Sequence, residues 1–191
     1  TNIIVNAHLT RIEDNETNHL VQTQTRSAIT PQSPEHFTHD PDGNLLTDAT
    51  WTYTWNAENR LIKTESLPSV PDAAKVKVEN VYDYLGRRFR KTVSSGYSGG
   101  TYTATNETTY VWGGFNIIAE MSDAGYTNWY TYGLDLSGTL QGAGGIGGAL
   151  AMTRLDASGT NTYLYCFDGN GNVVNLVDAD DGSIAATYEY S

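Results

Sequence analysis

One short pattern constrains this chain more than any other: an aromatic residue, any residue, a second aromatic, then a small polar residue or Gly. It stands at Phe37-x-His39-Asp40, Tyr53-x-Trp55-Asn56, Tyr110-x-Trp112-Gly113, Tyr130-x-Tyr132-Gly133, Tyr165-x-Phe167-Asp168 and Tyr188-x-Tyr190-Ser191. A seventh copy, Tyr82-Asp83, has Asn80 in the first aromatic place, and His39 fills the second place of the first copy. The recurrence is uneven, about every 25 residues, which describes a degenerate repeat array. Side chains at i and i+2 leave the same face of a strand, so stacked copies place an aromatic ladder on one face of a sheet.

A turn follows four of the copies. Asp40-Pro41-Asp42-Gly43-Asn44, Asn56-Ala57-Glu58-Asn59-Arg60, Asp83-Tyr84-Leu85-Gly86-Arg87 and Asp168-Gly169-Asn170-Gly171-Asn172 share one logic. Asp or Asn opens the turn and accepts a bond from the backbone two residues on. Gly, or Asn59, follows three residues later, where φ is positive. This predicts a type I turn ending in a bulge, a hairpin connection. An apolar strand resumes at Leu45-Leu46, Leu61-Ile62, Phe89 and Val173-Val174.

Composition agrees: 13 Tyr and 4 Trp stand against 4 Phe, with 19 Gly and much Thr. Aromatic and β-branched residues suit strands, and Gly suits turns. The expected fold class is all-β: serial antiparallel hairpins in a spiral, curled sheet, with no strong amphipathic helix. Four stretches follow. Residues 1–36 are an irregular lead-in with short strands at Ile3-Ile4-Val5 and His19 to Thr25. Residues 37–131 are hairpin repeats, with a loop at Leu67 to Ala74 and a flexible tip at Ser94 to Gly100. Residues 132–159 are Gly-rich, with room for at most a short helix over Ala149 to Leu155. Residues 160–191 are a final, truncated hairpin.

At this point the motifs resemble a known family. Tyr82-Asp83-x-x-Gly86-Arg87 and Phe167-Asp168-x-x-Gly171-Asn172 resemble the YD repeats of the rearrangement-hotspot (RHS) family. The stretch Tyr130 to Gly148 resembles a segment found just before the RHS-associated core. So does Asp168 to Asp178 followed by Ala185 to Tyr190. The resemblance covers about residues 37–191. It implies a spiral β-sheet curling into a hollow shell that encloses a cavity or displays an adhesive surface. In the family's toxins a polymorphic effector follows the core.

Several motifs look like chemistry. Gly142-Ala-Gly144-Gly145-Ile-Gly147 fits G-x-G-x-x-G, yet it lacks the strand before and the long helix after that a dinucleotide site needs. Asp40-Pro41-Asp42-Gly43 resembles a self-cleavage element of some RHS proteins, but it also sits in register as a turn. Asp178, Asp180 and Asp181 are spaced like a weak calcium site without the completing Glu. His36 and His39 sit three apart, on opposite faces of a strand, which is the wrong geometry for a metal pair. Cys166 reads as a strand thiol facing away from Tyr165 and Phe167. Asn15 and Asn106 head glycosylation sequons.

The net charge of −11 repels phosphate backbones, so nucleic acid is not an expected partner. No run spans a membrane. The residues point to a structural section of an extracellular or cell-surface β-shell that encapsulates or displays a partner. No catalysis, cofactor or metal is expected. Its partners are the remaining repeats of a longer protein or further copies, an enclosed effector domain, and glycans. The alternative is an adhesive or carbohydrate-binding module of a filamentous assembly. A hydrolase finds no nucleophile–base pair to support it.

Overall fold

The turn chemistry fixes the architecture. A computed structural model describes residues 35–190 with their side chains, and residues 2–13 and 16–27 as backbone. Strands β1 (Asn2–Glu13) and β2 (Glu16–Ser27) pair antiparallel as a two-stranded sheet, running further than the two short strands expected there. Next come β3 (Thr38–His39), β4 (Leu45–Thr47), β5 (Trp51–Trp55), β6 (Leu61–Ser66) and β7 (Lys77–Tyr82). Then follow β8 (Arg88–Ser98), β9 (Thr101–Gly113), β10 (Asn116–Ser122) and β11 (Tyr126–Tyr132). The series ends with β12 (Ala149–Asp156), β13 (Gly159–Phe167), β14 (Val173–Asp178) and β15 (Ile184–Thr187).

Strands β3 to β15 form one 13-stranded antiparallel sheet in strict chain order. Each strand pairs only with its neighbours in sequence. The sheet is open, with β3 and β15 at its two edges. The class is all-β, as expected; a 3-10 turn at Asp72–Ala74 is the only helical element among the described residues. No described helix is long and apolar enough to cross a membrane.

Two local expectations are corrected. Ala149 to Leu155 is strand β12, because each residue from Ala151 to Asp156 pairs with β13. Ser94 to Ser98 belongs to β8, and the turn narrows to Gly99-Gly100, since Ser98 pairs with Thr101.

Because connections alternate between the two ends of the strands, every second tip lies on the same rim. That rim holds the tips at Asp40, Asn56, Asp83, Gly114, Gly133–Gly148 and Asp168. Each incoming strand carries one extra residue just past this rim. The ladder skips Leu46, Ile62, Phe89, Ile118, Leu150 and Val174. Such bulges bend the strand and add right-handed twist.

The sheet is a single layer, and its core is correspondingly thin. Among described hydrophobic residues only Val70, Tyr110, Ala119 and Leu176 are buried. Most other strand residues are half-buried by neighbours on their own face. Cohesion therefore rests on ladders, on cross-strand side-chain contacts, and on the rim.

Candidate functional site

The tips are built alike to a degree that the sequence only partly reveals. In all four Asp/Asn tips the opening carboxylate or amide oxygen accepts two backbone N–H groups. Asp40 takes Asp42 (3.0 Å) and Asn44 (2.8 Å). Asn56 takes Glu58 (3.0 Å) and Arg60 (2.9 Å). Asp83 takes Leu85 and Arg87 (both 2.9 Å). Asp168 takes Asn170 and Asn172 (both 2.9 Å). The residue three on has positive φ in each: Gly43, Asn59, Gly86 and Gly171. The Asn44 and Asn172 side chains foremost, and these backbone bonds after them, hold the Asp40 and Asp168 carboxyls below the usual 3.8; at Asp83 burial opposes the shift, and the bonds from Arg87 and Leu85 outweigh it.

In four of the seven units the second aromatic has a task that spacing alone does not show. Its ring N–H or hydroxyl donates to the first carbonyl after an earlier tip. Trp55 Nε1 donates to Leu45 O (2.8 Å), and Tyr82 hydroxyl to Leu61 O (2.9 Å). Trp112 Nε1 donates to Arg88 O (3.0 Å), and Tyr190 hydroxyl to Val173 O (2.8 Å). In every case the acceptor sits five residues after the Asp or Asn. The tip of one hairpin is thus fastened by the aromatic of a later one. Phe has no donor for this bond, so Phe167, in the second place of its unit, makes none. Asn80, in the first place of its unit, donates to the same Leu61 carbonyl (3.1 Å).

The rim carries a second set of contacts between tips. Asn44 Nδ2 donates to Asn59 Oδ1 (2.8 Å), Arg60 Nη1 to Asp83 O (3.1 Å), and Arg87 Nη1 to Gly114 O (2.6 Å). Gln141 Nε2 donates to Asn116 Oδ1 (2.7 Å). A cleft of about 400 Å³ lies between the Asp83 and Gly114 tips, lined by Tyr82, Arg87, Arg88, Tyr110, Trp112 and Phe115. Gly113 and Gly133 replace Asp/Asn where the bulge residue folds over the rim. A Cβ there would stand 2.9 Å from Ile118 Cγ2 and 2.9 Å from Leu150 Cδ1 respectively.

Asp135 is the residue that sequence reasoning missed. It opens a further Asp-x-x-Gly turn, with Gly138 N–H donating to Asp135 O (2.9 Å). Its carboxylate is buried and collects Ser137 N–H, Ser137 Oγ–H, Ala143 N–H and Gly145 N–H at 2.9, 2.6, 2.6 and 3.2 Å. Those bonds, the Ser137 hydroxyl foremost, hold its carboxyl at about 2. Two amides of the Gly-rich loop that would face a phosphate in a nucleotide site are therefore spent on an internal carboxylate. A strand, β12, follows the loop where a helix would be needed.

Other candidates fall as follows. Tyr165 and Phe167 stack at 6.3 Å. Their neighbour Cys166 is a free, half-buried thiol. Asp40 of the Asp-Pro pair is fully engaged as a turn cap. Asp178 caps Asp180 N–H and Asp181 caps Ser183 N–H, each inside the β14–β15 turn. Among the described residues no three His, Cys, Asp or Glu converge as a metal site. Both His36 and His39 are exposed. Asn106 Nδ2 donates to Ser122 Oγ (3.2 Å), and the sequon's Thr108 is buried. Asn15 lies outside the described residues.

On one face of the sheet a carboxylate is ringed by tyrosines. Glu120 Oε1 accepts from Tyr126 hydroxyl and Oε2 from Tyr130 hydroxyl, both 3.1 Å. The Tyr130 phenol is pushed up by burial first and by the Glu120 charge second. Tyr110 and Asn128 stand abreast of Glu120 on the flanking strands.

No family model matches the chain. Over 165 residues it is 29% identical to the tRNA3(Ser)-specific nuclease WapA of Bacillus spizizenii, covering 85% of this chain and 6% of that protein. It is 27% identical over 163 residues to the tRNA nuclease WapA of Bacillus subtilis, covering 85% and 6%. It is 28% identical over 166 residues to the double-stranded DNA deaminase toxin A of Burkholderia cenocepacia, covering 81% and 11%. The chain thus spans a small fraction of each relative. The first two relatives are named as nucleases and the third as a deaminase toxin. That overturns the expectation of a protein without catalysis: the chain is similar to parts of enzymes.

Proposed function

We propose that the chain is a section of an RHS/YD-repeat β-shell in a secreted or surface-borne toxin-type enzyme, where it encloses or presents a nucleic-acid-modifying effector. The observation that carries this reading is the fastening of four tips, at Asp40, Asn56, Asp83 and Asp168, each by the aromatic of the next repeat unit. It couples these hairpins to their successors at a fixed offset within a sheet whose strands pair in chain order, so the sheet extends serially, as a wall does. The relatives support the setting: the match covers most of this chain but a small share of proteins named for a tRNA nuclease or a DNA deaminase. Charge supports the division of labour. A net charge of −11 repels tRNA or DNA from the sheet and attracts the basic surface that an enzyme acting on them presents.

The test is limited proteolysis and electron microscopy of the polypeptide that carries this chain together with its effector. Hollow particles, with the effector cut at least tenfold more slowly than when free, are expected. An effector cut at its free rate defeats the reading, and so do fibres with glycan-dependent adhesion.

A further inference from the structure

We propose that Glu120, with Asn128 beside it, forms a receptor for the cationic side chain, arginine or lysine, of a basic polypeptide segment lying across the tyrosine face of the sheet. The inference rests on the enclosure reading for the identity of that segment, an effector that engages nucleic acid.

The register sets the geometry. Tyr110, Glu120, Asn128 and Arg154 are successive cross-strand partners on β9 to β12, so their side chains leave the same face. Two cations beside these tyrosines are already engaged elsewhere. Arg154 pairs with Asp156 (2.8 Å) and lies 4.2 Å from the Tyr126 ring. Arg88 lies 5.3 Å from the Tyr110 ring. Among the described residues no cation forms an ion pair with Glu120. Its carboxylate is held by the Tyr126 and Tyr130 hydroxyls alone.

A second observation lies on the neighbouring strand. Asn128 is 6% exposed, and its Oδ1 is buried with no hydrogen-bond partner. A buried acceptor left without a donor is costly. A carboxylate and an amide oxygen abreast, both acceptors, with tyrosine rings around them, call for a ligand that is cationic and rich in donors. A metal ion needs more ligands than converge here, since no three His, Cys, Asp or Glu do so among the described residues. A guanidinium or ammonium needs only this pair. Basic segments are what proteins engaging tRNA or DNA carry, and such proteins are the chain's relatives.

The experiment is calorimetric titration of the 191-residue chain with an acetylated, amidated Gly-Arg-Gly-Arg-Gly peptide, its Lys analogue and its neutral citrulline analogue. The Arg or Lys peptide is expected to bind the wild-type chain, with citrulline weakening binding at least tenfold. Glu120→Gln is expected to weaken it at least tenfold, and Asp42→Asn, at the exposed Asp40 tip, less than twofold. Equal losses for Glu120→Gln and Asp42→Asn would mean bulk charge alone and overturn the proposal. So would undiminished binding of the citrulline peptide, a comparison that needs no variant to fold, or no binding of any peptide. Protease protection of the effector without an effect of Glu120→Gln sinks the receptor only. Glu120-dependent binding without protection sinks enclosure only.

Discussion

The Asp83 tip and the Asp135 loop begin with one turn and end as different structures. In both, the Asp N–H donates to the carbonyl four residues on, 2.9 Å to Arg87 O and 2.7 Å to Thr139 O. In both, Oδ1 accepts the N–H two residues on, at 2.9 Å. The difference lies in who takes Oδ2. At Asp83 it is Arg87, the fourth residue (Nε, 2.8 Å). At Asp40 and Asp168 it is likewise the fourth residue, Asn44 and Asn172 (both 2.9 Å). At Asp135 the fourth residue is Thr139, whose hydroxyl is turned to Gly142 N–H (2.7 Å). Oδ2 is left for Ala143 and Gly145, eight and ten residues on. In these three hairpin tips the fourth residue closes Oδ2, and at Asp135 Oδ2 instead anchors an excursion along the rim.

The largest test breaks the excursion. Asp135→Ala leaves the Ala143, Gly145 and Ser137 donors without their acceptor inside the loop. The expected result is a fall in melting temperature on the order of 10 °C, with fast hydrogen exchange at Ala143 and Gly145. Exchange unchanged at those two amides would show that the loop is held by something other than Asp135.

Next in size is a contrast between two glycines at equivalent tips. Gly43 has φ +88° and open space around it, whereas a Cβ on Gly171 would stand 2.7 Å from Ile146 Cγ2 and 2.9 Å from Leu136 Cδ1. Gly43→Ala is expected to cost about 1 kcal/mol, the strain of a left-handed residue. Gly171→Ala is expected to cost about 2–3 kcal/mol, because the excursion packs against this tip. Equal losses in denaturant melts would show that the Asp135 loop does not bear on the Asp168 tip.

These contrasts show what the sequence makes legible. Asp40-x-x-Gly43, Asn56-x-x-Asn59, Asp83-x-x-Gly86 and Asp168-x-x-Gly171 are readable because every donor and acceptor falls within five residues. Asp135 is not, since the two amides that bond its Oδ2, Ala143 and Gly145, lie beyond Thr139. Ala149 to Asp156 lacks β-branched residues apart from Thr153 and becomes a strand through pairing on both sides. Glu120 sits in Asn116-Ile-Ile-Ala-Glu-Met-Ser122 with no local pattern to distinguish it. Only the cross-strand register brings the tyrosines and Asn128 to it.

A smaller effect is expected from the fastening bond. Tyr82→Phe removes one hydroxyl that donates to Leu61 O (2.9 Å), while Asn80 Nδ2 continues to serve that carbonyl (3.1 Å). The expected cost is about 0.5–1 kcal/mol, read as a shift of the denaturant midpoint at unchanged slope. A neutral result would reduce the preference for Tyr over Phe at this unit to something other than the bond.

The smallest effect separates Asp from Asn within the tips. Asn56 shows that an amide oxygen accepts the same two N–H groups, so Asp168→Asn is expected to fold normally. At neutral pH it loses the charge-assisted bond from Asn172 Nδ2 to Oδ2 (2.9 Å), and at this exposed site the melting temperature falls by ~1–2 °C. The sign with pH follows from the direction of the shift. The Asp168 carboxyl is lowered from 3.8 in the fold, the Asn172 side chain being the largest cause. Its contribution is therefore complete above the unfolded value and lost as pH falls through the folded one. The gap between wild type and variant should close below pH 3.8, read from melts at pH 7 and at pH 2. A gap that stays constant over that range would mean that the ionised carboxylate adds nothing to this tip, and that Asp and Asn are there as equivalent acceptors.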